Sequence, residues 1–206
     1  MTDRLALYNK ALLYCSEPPL QSLEDDVTAR RVLDAIWADR ALAKVLEEGL
    51  WNVALRTLEI AYDPDVAPPF GQGRAFAQPP DLVRVAALTS DAHMRQPLLT
   101  YVDEAGYWYA DVDRIFVSYV SDDPAYGGDL SRWPPSLADA AARWIGALAA
   151  HGFNKAETQI QRMEAAAERA FALARNRDAM NQPTRFPPPG RWLSARAGRF
   201  DARDRP

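Results

Sequence analysis

The chain has few of the side chains that most often carry chemistry. Its 206 residues include one cysteine, Cys15, and two histidines, His93 and His151, which are far apart in the sequence. A single thiol cannot form a disulfide within the chain, and a metal site needs a cluster of ligands that this pattern does not offer. Cys15 falls on an apolar helical face, where a thiol stays neutral and buried. We therefore expect no metal, no cofactor and no catalytic residue.

Long apolar runs are also missing. No stretch approaches the roughly 18 consecutive apolar residues of a membrane span, and the first residues lack the basic start and apolar core of a signal peptide. We expect a protein that does not contact a membrane and is made in the cytoplasm.

Lysine is scarce, and positive charge comes from 21 arginines against 3 lysines, with a net charge of −4. The charge is unevenly placed, because residues 183–206 hold six arginines and two aspartates, a net +4, which leaves −8 for the remainder. Duplex phosphates are bound through lysine and arginine. The acidic body is thus a poor nucleic-acid binder, and the basic end of the chain predicts an acidic partner surface.

Two helical patterns precede residue 50. The first covers residues 3–15, with Asp3 or Thr2 as its cap, and ends before Pro18-Pro19 because proline excludes the preceding residue from the helical region. The second follows Asp25-Asp26, runs for about 23 residues, and ends at Gly49, a residue suited to a left-handed helix stop. At about 1.5 Å per residue this predicts one rod near 35 Å long, although its apolar face drifts near Asp39-Arg40.

The middle of the chain has strand-like patterns. They occupy residues 51–62, where a helix is the open alternative, and residues 82–88, 98–103, 107–110 and 114–121. Turn signals between the later ones predict a small antiparallel meander. Residues 63–80 are rich in proline and glycine and predict a loop. Gly71-Gln72-Gly73 within it lacks the remaining residues of a nucleotide-binding fingerprint, so we interpret it as a connector.

Two further helical patterns follow. The first starts with a capping box of Ser136 and Asp139 and ends at Gly152, and the second starts at Asn154 and reaches about Asn181. The fold class predicted is α+β, mainly α, a four-helix bundle with an inserted small antiparallel β-sheet and an extended C-terminal arm. Its segments are residues 1–50 with 134–182 for the bundle, 51–133 for the sheet and loops, and 183–206 for the basic arm.

The arm has no helical or strand period and contains a proline triplet at residues 187–189. Aromatic and apolar side chains alternate with its arginines, a composition found at interface cores. The candidate binding residues of the arm are Arg185, Phe186, Arg191, Trp192, Leu193, Arg196, Arg199 and Phe200.

Paired carboxylates leave an enzyme open as an alternative. The pairs Glu24 to Asp26, Asp111 with Asp113, and Asp122 with Asp123 could act as the acid and nucleophile of a carbohydrate hydrolase. Helix capping and turn formation explain them more simply. A host regulator or scaffold is a third possibility.

The order of several short motifs resembles that of the phage tail tubular protein A family, the head-to-tail adaptors of short-tailed bacteriophages. The motifs are L-Y-C-S-E-P-P-L-Q-S-L-E-D-D (13–26), A-R-R-V-L (29–33), G-L-W-N-V-A (49–54), F-A-Q-P-P-D-L-V-R-V (76–85), I-F-V-S-Y-V (115–120), the helical pattern 137–148 and R-W-L-S-A-R (191–196). Each motif is weak alone, and their order and spacing carry the resemblance. Residues 199–206 depart from the family's pattern.

The resemblance implies a virion protein at the head–tail interface that catalyses no reaction. The enzyme alternative then takes the form of a tail-associated carbohydrate hydrolase. Family members form a twelve-subunit ring, a head-tail connector between the portal protein and the next tail component, a nozzle or tail tube protein. DNA passes through the lumen during genome retention and ejection without sequence-specific binding. We expect the arm to dock on the portal.

Overall fold

The computed structural model describes residues 2–69 and 71–181. Within them the chain has an α+β fold with five α-helices and two antiparallel sheets of three strands each. The helices are α1 (Arg4–Cys15), α2 (Thr28–Ala38), α3 (Ala41–Glu47), α4 (Pro135–Gly152) and α5 (Glu157–Met180). The strands are β1 (Leu55–Ala61), β2 (Arg74–Ala77), β3 (Leu82–Thr89), β4 (Val102–Glu104), β5 (Tyr107–Ala110) and β6 (Arg114–Ser121). No helix in these ranges combines the length and apolarity that a membrane span requires.

The predicted four-helix bundle is wrong because its second helix is not one rod. α2 ends at Ala38, and Arg40 takes a left-handed conformation with φ 55°, so the chain turns before α3 begins at Ala41. The two pieces then have different neighbours, since α2 packs on α4 whereas α3 packs against β3 and β6. The drift of the apolar face near Asp39-Arg40 marks this break.

α4 is the central helix of the helical layer and packs against α1, α2 and α5. Its buried face consists mainly of alanines, which let neighbouring helices approach closely. At Gly146 the backbones of two helices come close, because a Cβ there would lie 3.0 Å from the backbone oxygen of Ala11 in α1. Larger side chains such as Leu12, Leu46 and Trp51 fill the remaining core, and each contributes on the order of 2 kcal/mol on burial.

The predicted single meander is also wrong. One sheet has the order β1-β6-β3, with β6 in the centre, and the other has the order β2-β5-β4. β2 lies within the segment that was predicted to be loop, and its partner β5 is more than 25 residues away. The bounds of β5 and β6 are confirmed, because both are short alternating segments flanked by clear turn residues.

Local signals at the helix ends give mixed results. Asp3 caps α1 as predicted, and its Oδ1 accepts a hydrogen bond of 2.7 Å from the N–H of Ala6. The capping residues predicted for the last two helices are wrong, since α4 begins at Pro135 and α5 follows Ala156, neither with a side-chain cap. Gly49 is not a left-handed stop. It is needed because a Cβ would lie 2.9 Å from the ring of Trp51.

Candidate interaction surfaces

The residues predicted to bind a partner lie outside the described residues. These are Arg185, Phe186, Arg191, Trp192, Leu193, Arg196, Arg199 and Phe200. Their role in docking stays a prediction, and the structure shows the surfaces of residues 2–69 and 71–181.

The cysteine and histidines occupy separate places. Cys15 is fully buried, its thiol donates a hydrogen bond of 3.1 Å to the backbone oxygen of Gly146, and burial raises the pKa of the thiol to about 11. The predicted buried structural thiol is therefore confirmed. His93 is exposed in a loop, and His151 at the end of α4 has its Nε2 3.7 Å from a carboxylate oxygen of Glu164.

The carboxylate pairs that left a hydrolase open make local contacts. Asp111 accepts a hydrogen bond from the N–H of Gly73, and Asp113 pairs with Arg74. Three further carboxylates are held by ion pairs or turn N–H groups: Asp26 by Arg31 at 2.6 Å, Asp122 by Arg40 at 3.6 Å and Asp123 by the N–H of Ala125 at 2.8 Å. Turns and ion pairs thus account for these groups. The part of the chain that the structure describes holds no group of three metal-ligating side chains.

Asp81 is the centre of a polar cluster that joins β1 to β6. Its carboxylate, 12% exposed, accepts hydrogen bonds from Arg56 at 2.9 Å, from the hydroxyl of Tyr119 at 3.1 Å and from the hydroxyl of Ser121. Burial tends to raise the pKa of Asp81, but these hydrogen bonds outweigh it and hold the pKa below its ordinary value. Because the guanidinium of Arg56 is paired with the carboxylate of Asp81, we interpret the cluster as a crosslink between strands of the sheet.

A groove of about 510 Å³ lies between the end of α3, α4 and α5. Its apolar lining includes Trp144, Leu148 and Phe171, and Leu148 is 37% exposed. Its rim carries three carboxylates, Glu48, Glu164 and Glu168. We call this surface the Trp144 groove.

One cation also lines the Trp144 groove. Nη1 of Arg175 lies 3.2 Å from a carboxylate oxygen of Glu48 and 2.9 Å from the backbone oxygen of the same residue. This pair offsets one of the three rim carboxylates. Glu164 and Glu168, one helical turn apart on α5, leave the groove with a net negative charge.

A second cavity of about 320 Å³ adjoins the Trp144 groove and shares Glu48 and Arg175 with it. Its lining includes Leu50 and, near the C-terminal end of α5, Asp178 and Ala179. The two cavities therefore form a continuous path along α5, from the last turn of the helix to Glu164. Asp178 is buried, accepts a hydrogen bond of 3.0 Å from the N–H of Asn52, and has a pKa raised by burial.

Two smaller cavities lie along a different side of α5, against α1 and the first turns of α4. They measure about 200 Å³ and 260 Å³. Their lining combines apolar and cationic side chains, among them Tyr14, Met163, Leu173, Arg143, Arg162 and Arg177. We call this surface the Tyr14 groove. Lys10 and Asp139 also line it, so four cations face one carboxylate.

Asp139 is the carboxylate of the Tyr14 groove, and its charge is already matched. It accepts hydrogen bonds from the hydroxyl of Tyr14 at 2.6 Å and from Arg143 at 2.9 Å, and lies 2.7 Å from Lys10. Burial tends to raise the pKa of Asp139, but these partners outweigh it and hold the pKa well below its usual range. Arg162 and Arg177, both exposed, remain to attract an acidic partner.

Sequence reasoning found the charged residues of α5 but missed the grooves. In the sequence pattern, Glu164 and Glu168 are recognisable only as charged residues on the outer sides of a helix. Their meeting with Glu48, more than 100 residues earlier, depends on how α3 is placed by the turn at Arg40. One local signal could have indicated the Trp144 groove. Glu164 and Glu168 are like charges one helical turn apart, and this spacing slightly destabilises a helix unless a cationic partner compensates it.

Neither a protein-family model nor a curated protein matches this chain.

Proposed function

We propose that this chain is a structural virion protein, a head-to-tail adaptor that forms a ring between the portal and the next tail component of a bacteriophage. The observation that carries the proposal is the order and spacing of the motifs from Leu13 to Arg196, which resemble those of the tail tubular protein A family. In this role the chain catalyses no reaction, acts in the virion, and lets DNA pass through the lumen of the ring.

The distribution of charge supports a channel through which DNA slides. Residues 1–182 carry a net −8, and residues 55–133 alone hold twelve acidic side chains against six arginines. Tight binding of duplex DNA requires cationic contacts to phosphates. An acidic ring wall repels the duplex and leaves it free to move.

The Tyr14 groove supports contact with a further subunit. It combines the exposed Arg162 and Arg177 with Leu173, which is 50% exposed. A cationic groove with an apolar floor complements an acidic surface such as that of residues 55–133 in a second copy. A contact between two different patches of identical subunits generates a ring when the rotation closes.

The proposal is tested by mixing the purified full chain with isolated portals and imaging the product by electron microscopy. We expect twelve copies in a ring around an open channel, and no ring after deletion of residues 183–206, because the basic arm is proposed to hold the portal. The paired substitution of Arg162→Glu and Arg177→Glu should leave portal binding but weaken ring closure.

A matched control is the paired substitution of Arg31→Glu and Arg169→Glu, two exposed arginines that line neither groove and lie outside residues 55–133. A chain that stays monomeric by size-exclusion mass and leaves portals bare would contradict the adaptor. Unchanged attachment after loss of residues 183–206 would overturn the role of the arm.

A further inference from the structure

We propose that the Trp144 groove and its adjoining cavity bind the chain's own basic arm, residues 183–206, before any partner is met. The inference concerns the free protein and does not rest on the adaptor role. It follows from the chemistry of the groove, from where α5 ends, and from the composition of the residues beyond it.

Charge complementarity is the first argument. The groove has Glu48, Glu164 and Glu168 on its rim and one cation, Arg175, which is paired with Glu48. The adjoining cavity adds the carboxyl of Asp178 and one further cation, Arg84, whose Nη1 donates a hydrogen bond of 3.0 Å to the backbone oxygen of Glu47. The carboxylates therefore outnumber the cations along the whole path. The arm carries six arginines and two aspartates. Arginine pairs with carboxylates through several N–H donors in a fixed geometry, so the Glu164 and Glu168 carboxylates suit this segment and not the acidic remainder of the chain.

Apolar complementarity is the second argument. Trp144 and Leu148 give the groove a partly exposed apolar lining beside Phe171, which is 4% exposed, so a covering side chain would remove them from water. The arm has three large anchors between its arginines, Phe186, Trp192 and Phe200. Aromatic side chains flanked by arginine are the residues most often found at the energetic centre of an interface.

Chain length is the third argument. The adjoining cavity opens at Asp178 and Ala179, directly before the end of α5, so the path begins where the arm leaves the helix. From Asp178 to Glu164 the helix measures about 21 Å. The eleven steps along the chain from Asn181 to Trp192 can span up to about 36 Å when extended. Trp192 can therefore reach the apolar lining, with Arg191 and Arg196 near the rim carboxylates.

The volumes of the two cavities match the size of the proposed occupant. Together the two cavities offer several hundred cubic ångströms, with about 510 Å³ in the groove and about 320 Å³ beside it, enough for one or two aromatic side chains and the backbone between them. An arm held in this way would be kept from other acidic surfaces until a partner competes for it.

Limited trypsin digestion of the full chain tests the inference, with cleavage after Arg196 followed by mass spectrometry at low salt. The paired substitution of Glu164→Gln and Glu168→Gln should speed this cleavage roughly threefold or more, because each lost pair at a partly exposed site weakens binding by a modest factor. Trp192→Ala should speed it similarly and leaves the groove unchanged. Thermal unfolding confirms that the variants remain folded.

The matched control is the paired substitution of Glu24→Gln and Glu104→Gln, which removes the same charge from two exposed sites outside the groove. Its cleavage rate should equal that of the unmodified chain. Equal rates in all four proteins would overturn the inference. Protection that grows with protein concentration would also overturn it, since the groove would then be filled by the arm of a second copy.

Discussion

At Asp139, burial and hydrogen bonding act on the pKa in opposite directions. The carboxylate is 31% exposed, which alone would favour the protonated form, yet Lys10, Tyr14 and Arg143 together hold the pKa well below its usual range. A carboxyl whose pKa is lower in the folded state stabilises that state whenever it is ionised. It links α1 to α4 at the edge of the Tyr14 groove.

We predict that Asp139→Asn lowers the free energy of unfolding by about 1–3 kcal/mol at pH 7, the usual cost of removing a charged partner from a partly buried network. Because the folded pKa is depressed, the stabilisation is complete above the ordinary aspartate pKa of about 3.9 and is lost as the pH falls below it. Urea unfolding of both proteins at pH 7 and pH 3 should therefore show a difference that shrinks in acid.

Asp26→Asn serves as the control, because Asp26 is an exposed carboxylate whose pKa is also lowered, by a hydrogen bond from Arg31. Solvent screens that pair, so its loss should change stability far less. A difference between the Asp139→Asn protein and the unmodified chain that stays constant from pH 7 to pH 3 would contradict the assignment.

At the scale of elements, the break between α2 and α3 determines where α3 can pack. A left-handed conformation at a residue other than glycine lowers the free energy of unfolding by roughly 1–2 kcal/mol. Arg40 has this conformation, with φ 55°, and its side chain is 72% exposed. Burial of Ala41, Val45 and Leu46 in α3 compensates for it. The break therefore persists because the core favours it, against the local preference for one continuous helix.

We predict that Arg40→Gly raises the free energy of unfolding by up to about 1 kcal/mol, since glycine adopts positive φ without steric cost but loses more freedom on folding. Thermal or urea unfolding measures the change. Ala35→Gly in the exposed interior of α2 is the matched control and should lower stability by about 1 kcal/mol. Loss of stability in both variants would indicate a continuous helix through residue 40.

At the scale of the whole molecule, α1 and α4 enclose the thiol of Cys15. The thiol is 0% exposed and donates a hydrogen bond to the backbone oxygen of Gly146. Its raised pKa further lowers the fraction present as the reactive thiolate. The core around it extends from α1 through α4 to Trp51 and Val120 of β6. Reaction of Cys15 with a thiol reagent therefore requires opening of the core that joins the helices to the sheet.

We predict that Cys15 reacts with a thiol reagent at least about 10³-fold more slowly in the native protein than in denaturant, as expected for a core site that opens only on global unfolding. Leu13→Cys provides the control, because Leu13 is 71% exposed on the same helix and the new thiol should react rapidly. Comparable rates at the two positions would mean that α1 opens separately from the rest of the core.

Tertiary contacts decided most of what connects these elements. β2 forms inside a segment rich in proline and glycine because the exposed edge of β5 offers it backbone partners from Arg74 to Ala77. β6 lies between β1 and β3 in its sheet. Turn residues in the sequence do not distinguish this strand order from a meander. Gly49 is constrained by the nearby ring of Trp51 and not by its own conformation.

Features that depend on near neighbours along the chain can be predicted from the amino-acid order. The end of α1 before Pro18-Pro19, its Asp3 cap, the bounds of β5 and β6, the buried thiol and the opposite charges of the arm and the body all follow from local sterics, residue period or composition. The break at Arg40, the strand order and the meeting of Glu48 with Glu164 and Glu168 arise from contacts between distant parts of the folded chain. The physical reason is that local preferences of about 1 kcal/mol per residue yield to the burial of several large side chains, and burial depends on residues distant in sequence.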